Sequence, residues 1–468
     1  MLKAWLDEQG FAPAFLDFDK HSGIPAGADW ERTLYEQIQR CQALLILQTP
    51  NWSASRWCFA EFTQARALGK PIFQVVESDA AAAEKTIAAD LQRLDLRRDR
   101  AEGLLQLRRE LEAIALQDQG GFPWPPPDDR GRAPFPGLLA FEAEDAPVFF
   151  GRDDDWRAVI ERLTMRRVHG GPRLLALQGP SGAGKSSVLR AGVLPRLQRA
   201  GRQWLVLPVM RPQGRPLEAL AQVLAVGLQR PADWRELHQR LCSVGAGTEL
   251  VDMLSGLVAD LRQAAGAPDA QILLSIDQGE ELFTLAEAQE CERCLQVLAL
   301  MLQASLPCQA VMTIRADLIG ALQARPELVR SLETLSIGPL LVEYYREIIE
   351  GPARVAGLRV EQAFVARAIQ DTAMENALPL LAYALRQLHD RHGAAGCLSL
   401  RSYQDLGDPV AGLSPLENAV RHAADGVLQA HRPDAASLKA LRQAFVPAMV
   451  RVSDQGRYAR RVADWESL

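Results

Sequence analysis

The sequence predicts an α/β protein with two parallel-sheet units joined by a stiff linker, and three observations carry that expectation. Short apolar runs alternate with amphipathic helical stretches over residues 1–118 and again from Leu174 to Gln309, the pattern of strands covered on both faces by helices. Residues 119–136 hold six prolines and three glycines, which neither continue a helix nor suit a central strand. The third is Gly179-Pro-Ser-Gly-Ala-Gly-Lys-Ser186, set between an apolar strand and a helical stretch, where such a loop cradles phosphates.

The N-terminal unit is read element by element. Ala12 to Phe18 is an apolar run suited to a strand, and Trp30, Leu34, Ile38 and Cys41 line one helical face. Ala43 to Leu47 predicts a buried strand, Ser55 to Leu68 a helix and Ile72 to Val76 another strand. Leu91 to Leu116 is charged and mixed in sign, suiting an amphipathic helix after a short strand. After the linker the α/β alternation runs to about residue 340, and from about Val342 the chain is expected to be all helical. Near its end Ser414-Pro-Leu-Glu417 is a capping box with Pro at the first helical position. Leu416, Val420, Ala423 and Val427 follow it at helical spacing, and no internal repeat is visible.

Bulk properties narrow the function classes. A chain of 468 residues suggests two to four domains. The net charge of −6 argues against a general nucleic-acid binder, because non-specific affinity for DNA rests on neutralising phosphates with Lys and Arg. Seven scattered cysteines point to a reducing compartment, and Cys291-x-x-Cys294 lacks a second pair at zinc spacing, so both are expected on a helix face. The first residues meet an acid at Asp7, unlike a signal peptide, and no stretch approaches the roughly 18 apolar residues of a membrane span. The expected location is the cytoplasm, away from membranes.

The chemistry is most legible at the glycine-rich loop. Gly179, Gly182 and Gly184 let the backbone curl so that N–H groups, with those of Ser181 and Ser187, face phosphate oxygens. Lys185 neutralises the β/γ-phosphates and Ser186 supplies an oxygen to Mg²⁺. Such a loop needs a second strand ending in an acid, and Ile272-Leu-Leu-Ser-Ile-Asp277 fits, with Asp277 holding the metal through its water. Glu280 or Glu281 is then the base that positions the hydrolytic water, and the spacing leaves both open. A third strand, Ala310-Val-Met-Thr-Ile314, ends in Arg315-Ala-Asp317, so Arg315 is either a γ-phosphate sensor or the partner of a nearby acid.

Together these residues resemble the STAND class of NTPases, specifically a novel bacterial STAND family, over roughly 134–465. Pro136-Gly-Leu-Leu-Ala-Phe141 and Asp145-Ala-Pro-Val-Phe-Phe-Gly-Arg152 look like that family's opening motif, which implies that Phe150, Gly151 and Arg152 lie near the adenine. In Asp277-Gln-Gly-Glu-Glu-Leu-Phe283 this chain has Gly279 where the family usually has an aromatic residue. Glu350-Gly-Pro-Ala353 and Ala377-Leu-Pro-Leu-Leu381 match the helical part, with Pro379 implied to contact the base. Phe445 to Val450 and on to Arg460-Arg461 is similar to a winged-helix end. The implied domains are an NTPase core over 137–340, a helical domain over 341–404 and a winged-helix-like domain over 405–468. The resemblance implies a switch: ADP holds the module closed, and exchange for ATP, biased by a sensor domain whose trigger is unknown, opens it and drives self-association.

Phe15-Leu-Asp-Phe-Asp19, Ile24-Pro-Ala-Gly27 and Trp30 resemble the loop after the second strand of TIR domains, which have a flavodoxin-like parallel sheet. Ala43 to Leu47, Ser55-Arg-Trp-Cys58 with Glu61, and Gly69-Lys-Pro-Ile72 extend the resemblance over 1–118, without the first strand that usually opens such domains. Many bacterial TIR domains cleave NAD⁺ between ribose and nicotinamide through an oxocarbenium-like sugar, which a carboxylate stabilises. Glu61 matches their catalytic glutamate, and Trp57, one helical turn earlier, is placed to stack on a base. The implied function is a defence or cell-death signalling protein of bacteria, in which an ATP/ADP switch clusters TIR domains into an NAD⁺ hydrolase. The alternatives are a non-enzymatic TIR scaffold under the same switch, and a P-loop motor.

Overall fold

The computed structural model describes residues 2–9, 11, 15–16, 33–35, 37–38, 41, 43–49, 51–52, 55–67, 70–77, 93–113, 122–199, 203–245, 247–303, 305–375, 378–408, 410, 412–452 and 458–460. Apart from Phe15 and Leu16, the expected strand over Ala12–Phe18 lies outside these residues, as do the Ile24–Gly27 loop, Trp30, Gly69, Ala377 and Arg461. The chain divides into two compact units, Met1–Arg132 with Ala140–Leu340, and Ala133–Leu139 with Leu341–Leu468.

The N-terminal elements are α1 (Leu2–Glu8), β1 (Leu44–Gln48), α2 (Arg56–Ala67), β2 (Ile72–Val76), β3 (Arg93–Asp95) and α3 (Arg100–Ala113). The strands form a parallel sheet in the order β1-β2-β3. Side chains alternate across a strand with a period of two, and the core follows that rule. Leu45, Phe73 and Val75 pack with Leu2 and Leu6 of α1 and Leu107 and Leu111 of α3. Leu44, Ile46 and Ile72 pack instead with Phe62 or Ala65 of α2. Both sheet faces are therefore covered, as a parallel sheet requires. The linker is not loose where it is described: the Phe122 ring lies under Arg199 at 4.6 Å and Arg196 at 5.7 Å.

Five parallel strands, β4 (Leu174–Gly179), β5 (Trp204–Met210), β6 (Gln271–Ile276), β7 (Cys308–Arg315) and β8 (Leu332–Ser336), form the second sheet in the order β5-β6-β7-β4-β8. Alternation again divides the core. Leu174, Ala176, Ile272, Leu274, Ala310 and Met312 belong to one cluster, whereas Leu175, Leu177, Leu273 and Val311 belong to the opposite one. The first cluster packs on α6 (Pro216–Gly227), α7 (Trp234–Ser243), α8 (Thr248–Ala264) and α9 (Ala288–Met301); the second packs on α4 (Asp153–His169) and α5. Here α5 names the helix after the glycine-rich loop, which runs from Lys185–Ser187 through a π-helical turn at Val188–Val193 to Leu194–Arg199. Cys291 and Cys294 sit buried on α9, as a helix-face reading of that pair predicts.

The second unit buries Ile349, Phe364, Leu381, Leu385, Leu388, Leu398 and Tyr403 in a core of its own. It is not all helical. Two-residue parallel strands, β9 (Arg359–Val360) and β10 (Cys397–Leu398), pair between its helices, and β11 (Val450–Val452) pairs antiparallel with β12 (Tyr458–Arg460) near the end. The capping box forms: Ser414 Oγ accepts from the Glu417 N–H at 3.2 Å and Glu417 Oε2 accepts from the Ser414 N–H at 2.9 Å. The helix that follows, Pro415–His431, buries Leu416 and turns Val427 outward.

Candidate functional site

The carboxyl ends of β4, β6 and β7 bring the predicted phosphate residues to one edge of the second sheet, where open α/β sheets bind their ligands. Gly182 and Gly184 have φ of +80° and +84°, a backbone state that side chains rarely adopt. Gly179 is required for another reason: a Cβ there would stand 2.2 Å from the Ile337 carbonyl oxygen. Lys185 is 8% exposed and donates to the carbonyls of Gly179 and Pro180, both at 2.9 Å. Burial pushes its ammonium below the usual lysine range, partly offset by the Glu280 and Asp277 carboxylates.

Asp277 is fully buried just past β6. Its Oδ1 accepts from Ser186 Oγ at 2.7 Å, Thr313 Oγ1 at 2.6 Å and the Gln278 N–H at 3.1 Å. Its Oδ2 faces Arg190, with Nε at 3.0 Å and Nη2 at 2.7 Å, and Arg211 Nη2 at 3.8 Å. A serine hydroxyl joined to a carboxylate is a set of hard oxygens that fits Mg²⁺. The two glutamates left open by spacing differ in environment. Glu281 Oε2 accepts from the Gln213 N–H at 2.9 Å, and Gln278, its carboxamide oriented to suit both neighbours, donates to Glu281 Oε1. Glu280 Oε2 is buried with no hydrogen-bond partner among the described residues, and Glu280 is the acid acting most strongly on Lys185.

The opening motif braces the loop from outside. Arg152 donates to the Ala183 carbonyl at 2.7 Å and to Asp155 at 2.9 Å. Ser187 Oγ accepts from the Phe141 N–H at 3.2 Å, so this hydroxyl is engaged with protein backbone. Phe150 is buried beside Gly151, whose φ is +78°. Asp145 takes a bidentate pair from Arg132, at 2.6 and 2.9 Å. Arg315 pairs with Asp317 at 3.0 and 2.6 Å, and Gly279 is closed off by Met312, whose Cγ and Sδ would both meet a Cβ at 2.5 Å. Met312 thus fills the space beside the acid that a side chain at position 279 would take. Pro379 begins a helix, Leu378–His392, of the other unit and is exposed there.

Sequence reasoning singled out Ser186 and Asp277 but not Thr313, Arg190 or Glu142, which join them. Arg190 lies four residues after Ser186, on the same helical face, and that spacing was the available signal. In the N-terminal sheet, Trp57 and Glu61 share one face of α2, Trp57 44% exposed and Glu61 half-buried. About half a turn round α2, Phe59 is also exposed and borders a shallow hollow with Tyr35, Ala60, Thr63, Gln64 and Ala67. Elsewhere His238, Cys242 and Glu290 come together, but Glu290 already accepts from the Leu217 N–H and has Arg215 at 3.8 Å, so a cation is built in.

The novel STAND NTPase 1 family model matches residues 134–468. The chain belongs to that family. A TIR-domain model matches residues 1–108, so the protein is a TIR–STAND NTPase fusion of signalling type. No curated protein matches this STAND NTPase. Similar solved structures include the ORC2 protein of Aeropyrum pernix in its ADPNP–ADP complexes, at 14% identity and a TM-score of 0.41, covering 58% of this chain and 67% of that one. A Walker-type ATPase of Pyrococcus abyssi matches at 17% identity and a TM-score of 0.35, covering 69% of this chain and 95% of that one. The HORMA:CdnC:Trip13 complex of E. coli matches at 14% identity and 0.34, covering 56% of this chain and 90% of that one. No helix of the described residues is long and apolar enough to cross a membrane.

Proposed function

We propose that this STAND NTPase is an ATP/ADP switch whose self-association activates the TIR part as an NAD⁺ hydrolase in defence or cell-death signalling in bacteria. The observation that carries the switch is the convergence of Lys185, Ser186 and Asp277 on one sheet edge, beside a Glu280 whose Oε2 has no hydrogen-bond partner among the described residues. Lys185 and the loop amides would hold the phosphates; Ser186, and Asp277 through water, would hold Mg²⁺. Mg²⁺ supplies charge neutralisation at the phosphates when bound. Glu280, rather than Glu281, would position the hydrolytic water, because its oxygen is still available for a hydrogen bond. Arg315 would leave Asp317 to read the γ-phosphate, and a change of contacts with that phosphate would bias the two arrangements of the switch.

In the TIR part, Glu61 would stabilise the cleaving sugar and Trp57 stack on the base. A second reading has its own support: α2 also exposes Phe59 beside the apolar hollow, a surface suited to recruiting another TIR domain without chemistry. Incubating the purified, oligomerised protein with NAD⁺ separates the two. Nicotinamide release that is abolished in Glu61→Ala is expected; no release, or equal release from the variant, sinks the hydrolase reading and leaves the scaffold.

A further inference from the structure

Both oxygens of the Asp277 carboxylate are engaged, and the character of the donors is uneven. Ser186, Thr313 and the Gln278 N–H are neutral and compatible with an added cation nearby. Arg190 is itself a cation, held against Oδ2 by Nε and Nη2 at a carboxylate with no exposed surface. A guanidinium and Mg²⁺ beside one carboxylate repel strongly, since water there is scarce and screening weak. Arg190 also has a second anionic partner: its Nη1 lies 2.6 Å from Glu142 Oε1, in the opening motif. Its backbone belongs to the π-helical turn Val188–Val193, where the regular i→i−4 ladder is interrupted.

We propose that Arg190 is a positioning residue that takes the metal's electrostatic place at Asp277 and is handed to Glu142 when Mg²⁺ arrives with nucleotide. This rests on the loop being a Mg²⁺-nucleotide site. The handover makes Mg²⁺ affinity a competition with an internal cation, and Glu142 sets how readily that cation leaves. Removing the arginine therefore strengthens the contribution of Mg²⁺, whereas neutralising Glu142 ties the arginine more firmly to Asp277 and weakens it.

The test is ADP binding to the full chain by calorimetry, read as the ratio of the dissociation constant in EDTA to that in Mg²⁺. For Arg190→Met the ratio rises about tenfold, the scale of one charge-assisted hydrogen bond. For Glu142→Gln, a half-exposed and conservative change, it falls about threefold, because a more exposed pair is weaker. Opposite shifts support the proposal. An unchanged ratio, or shifts of the same sign, overturns it, and if Arg190→Met does not fold, Glu142→Gln alone decides by lowering the ratio or not. An unaltered chain whose ADP affinity ignores Mg²⁺ would instead remove the underlying site reading and this proposal with it.

Discussion

Lys185 shows how one residue's environment prepares it for a ligand. Its ammonium is nearly buried and, among the described residues, bonded to two neutral carbonyls; burial pushes its pKa down, with partial compensation from Glu280 and Asp277. The sign follows from linkage. Between its lowered folded value and the ordinary lysine value of about 10.4, the folded ligand-free chain binds fewer protons than the unfolded one. Stability from this group therefore rises with pH across that window. A bound phosphate favours the charged form and raises the pKa again. Calorimetry of ADP binding at about pH 9.5, just under the ordinary lysine value, in buffers of different ionisation heat, is expected to show net proton uptake. Proton release would contradict the placement of Lys185 against phosphate. Its residue type and position were legible from spacing; its depressed pKa was not, because that depends on what the fold packs over it.

At the scale of single elements, local chemistry carried most of the sequence reading. The helix Pro415–His431 starts where Ser414, Pro415 and Glu417 require, because both capping-box hydrogen bonds lie within four residues. Ser414→Ala is expected to destabilise the chain by about 1 kcal/mol, the usual cost of a lost cap, and to leave ADP affinity unchanged; denaturant unfolding and calorimetry check the two halves. Where an element's partner is distant, local reasoning stopped. Apolar Val427 continues the helical spacing of Leu416, yet Leu416 is buried and Val427 is 61% exposed. The short β9–β10 pairing joins residues nearly forty positions apart, and two-residue strands leave no periodicity to detect. The π-helical turn after the loop was also invisible, since propensities do not mark where a helix widens to seat Arg190.

At the scale of the whole molecule, the phosphate loop, the acid just past β6 and the Asp145–Arg152 part of the opening motif belong to Met1–Arg132 with Ala140–Leu340, while Pro136–Leu139 and Pro379 belong to the other unit. Nucleotide binding at the proposed site would report itself through stability. A ligand that binds only the folded state at about a hundred times its Kd adds roughly 2.7 kcal/mol, so Mg²⁺ with ADP is expected to raise the Tm of the unaltered chain. Lys185→Ala is expected to lose that rise while keeping its own ligand-free Tm within a few degrees. A variant that still gains the full shift would mean that the nucleotide binds elsewhere.

The sequence by itself determined the α/β class, the glycine-rich loop between β4 and α5 and the acid that meets it, because each is written in contiguous residues with a short-range physical cause. It also carried the family likeness of both parts. Only the tertiary structure decided which of two adjacent glutamates keeps an available oxygen, that Met312 occupies the space opened by Gly279, and that Arg190 bridges Asp277 and Glu142. Those outcomes depend on burial and on partners tens of residues away. Charge, desolvation and close packing act through space, and the order of residues along a chain does not fix which of them will share it.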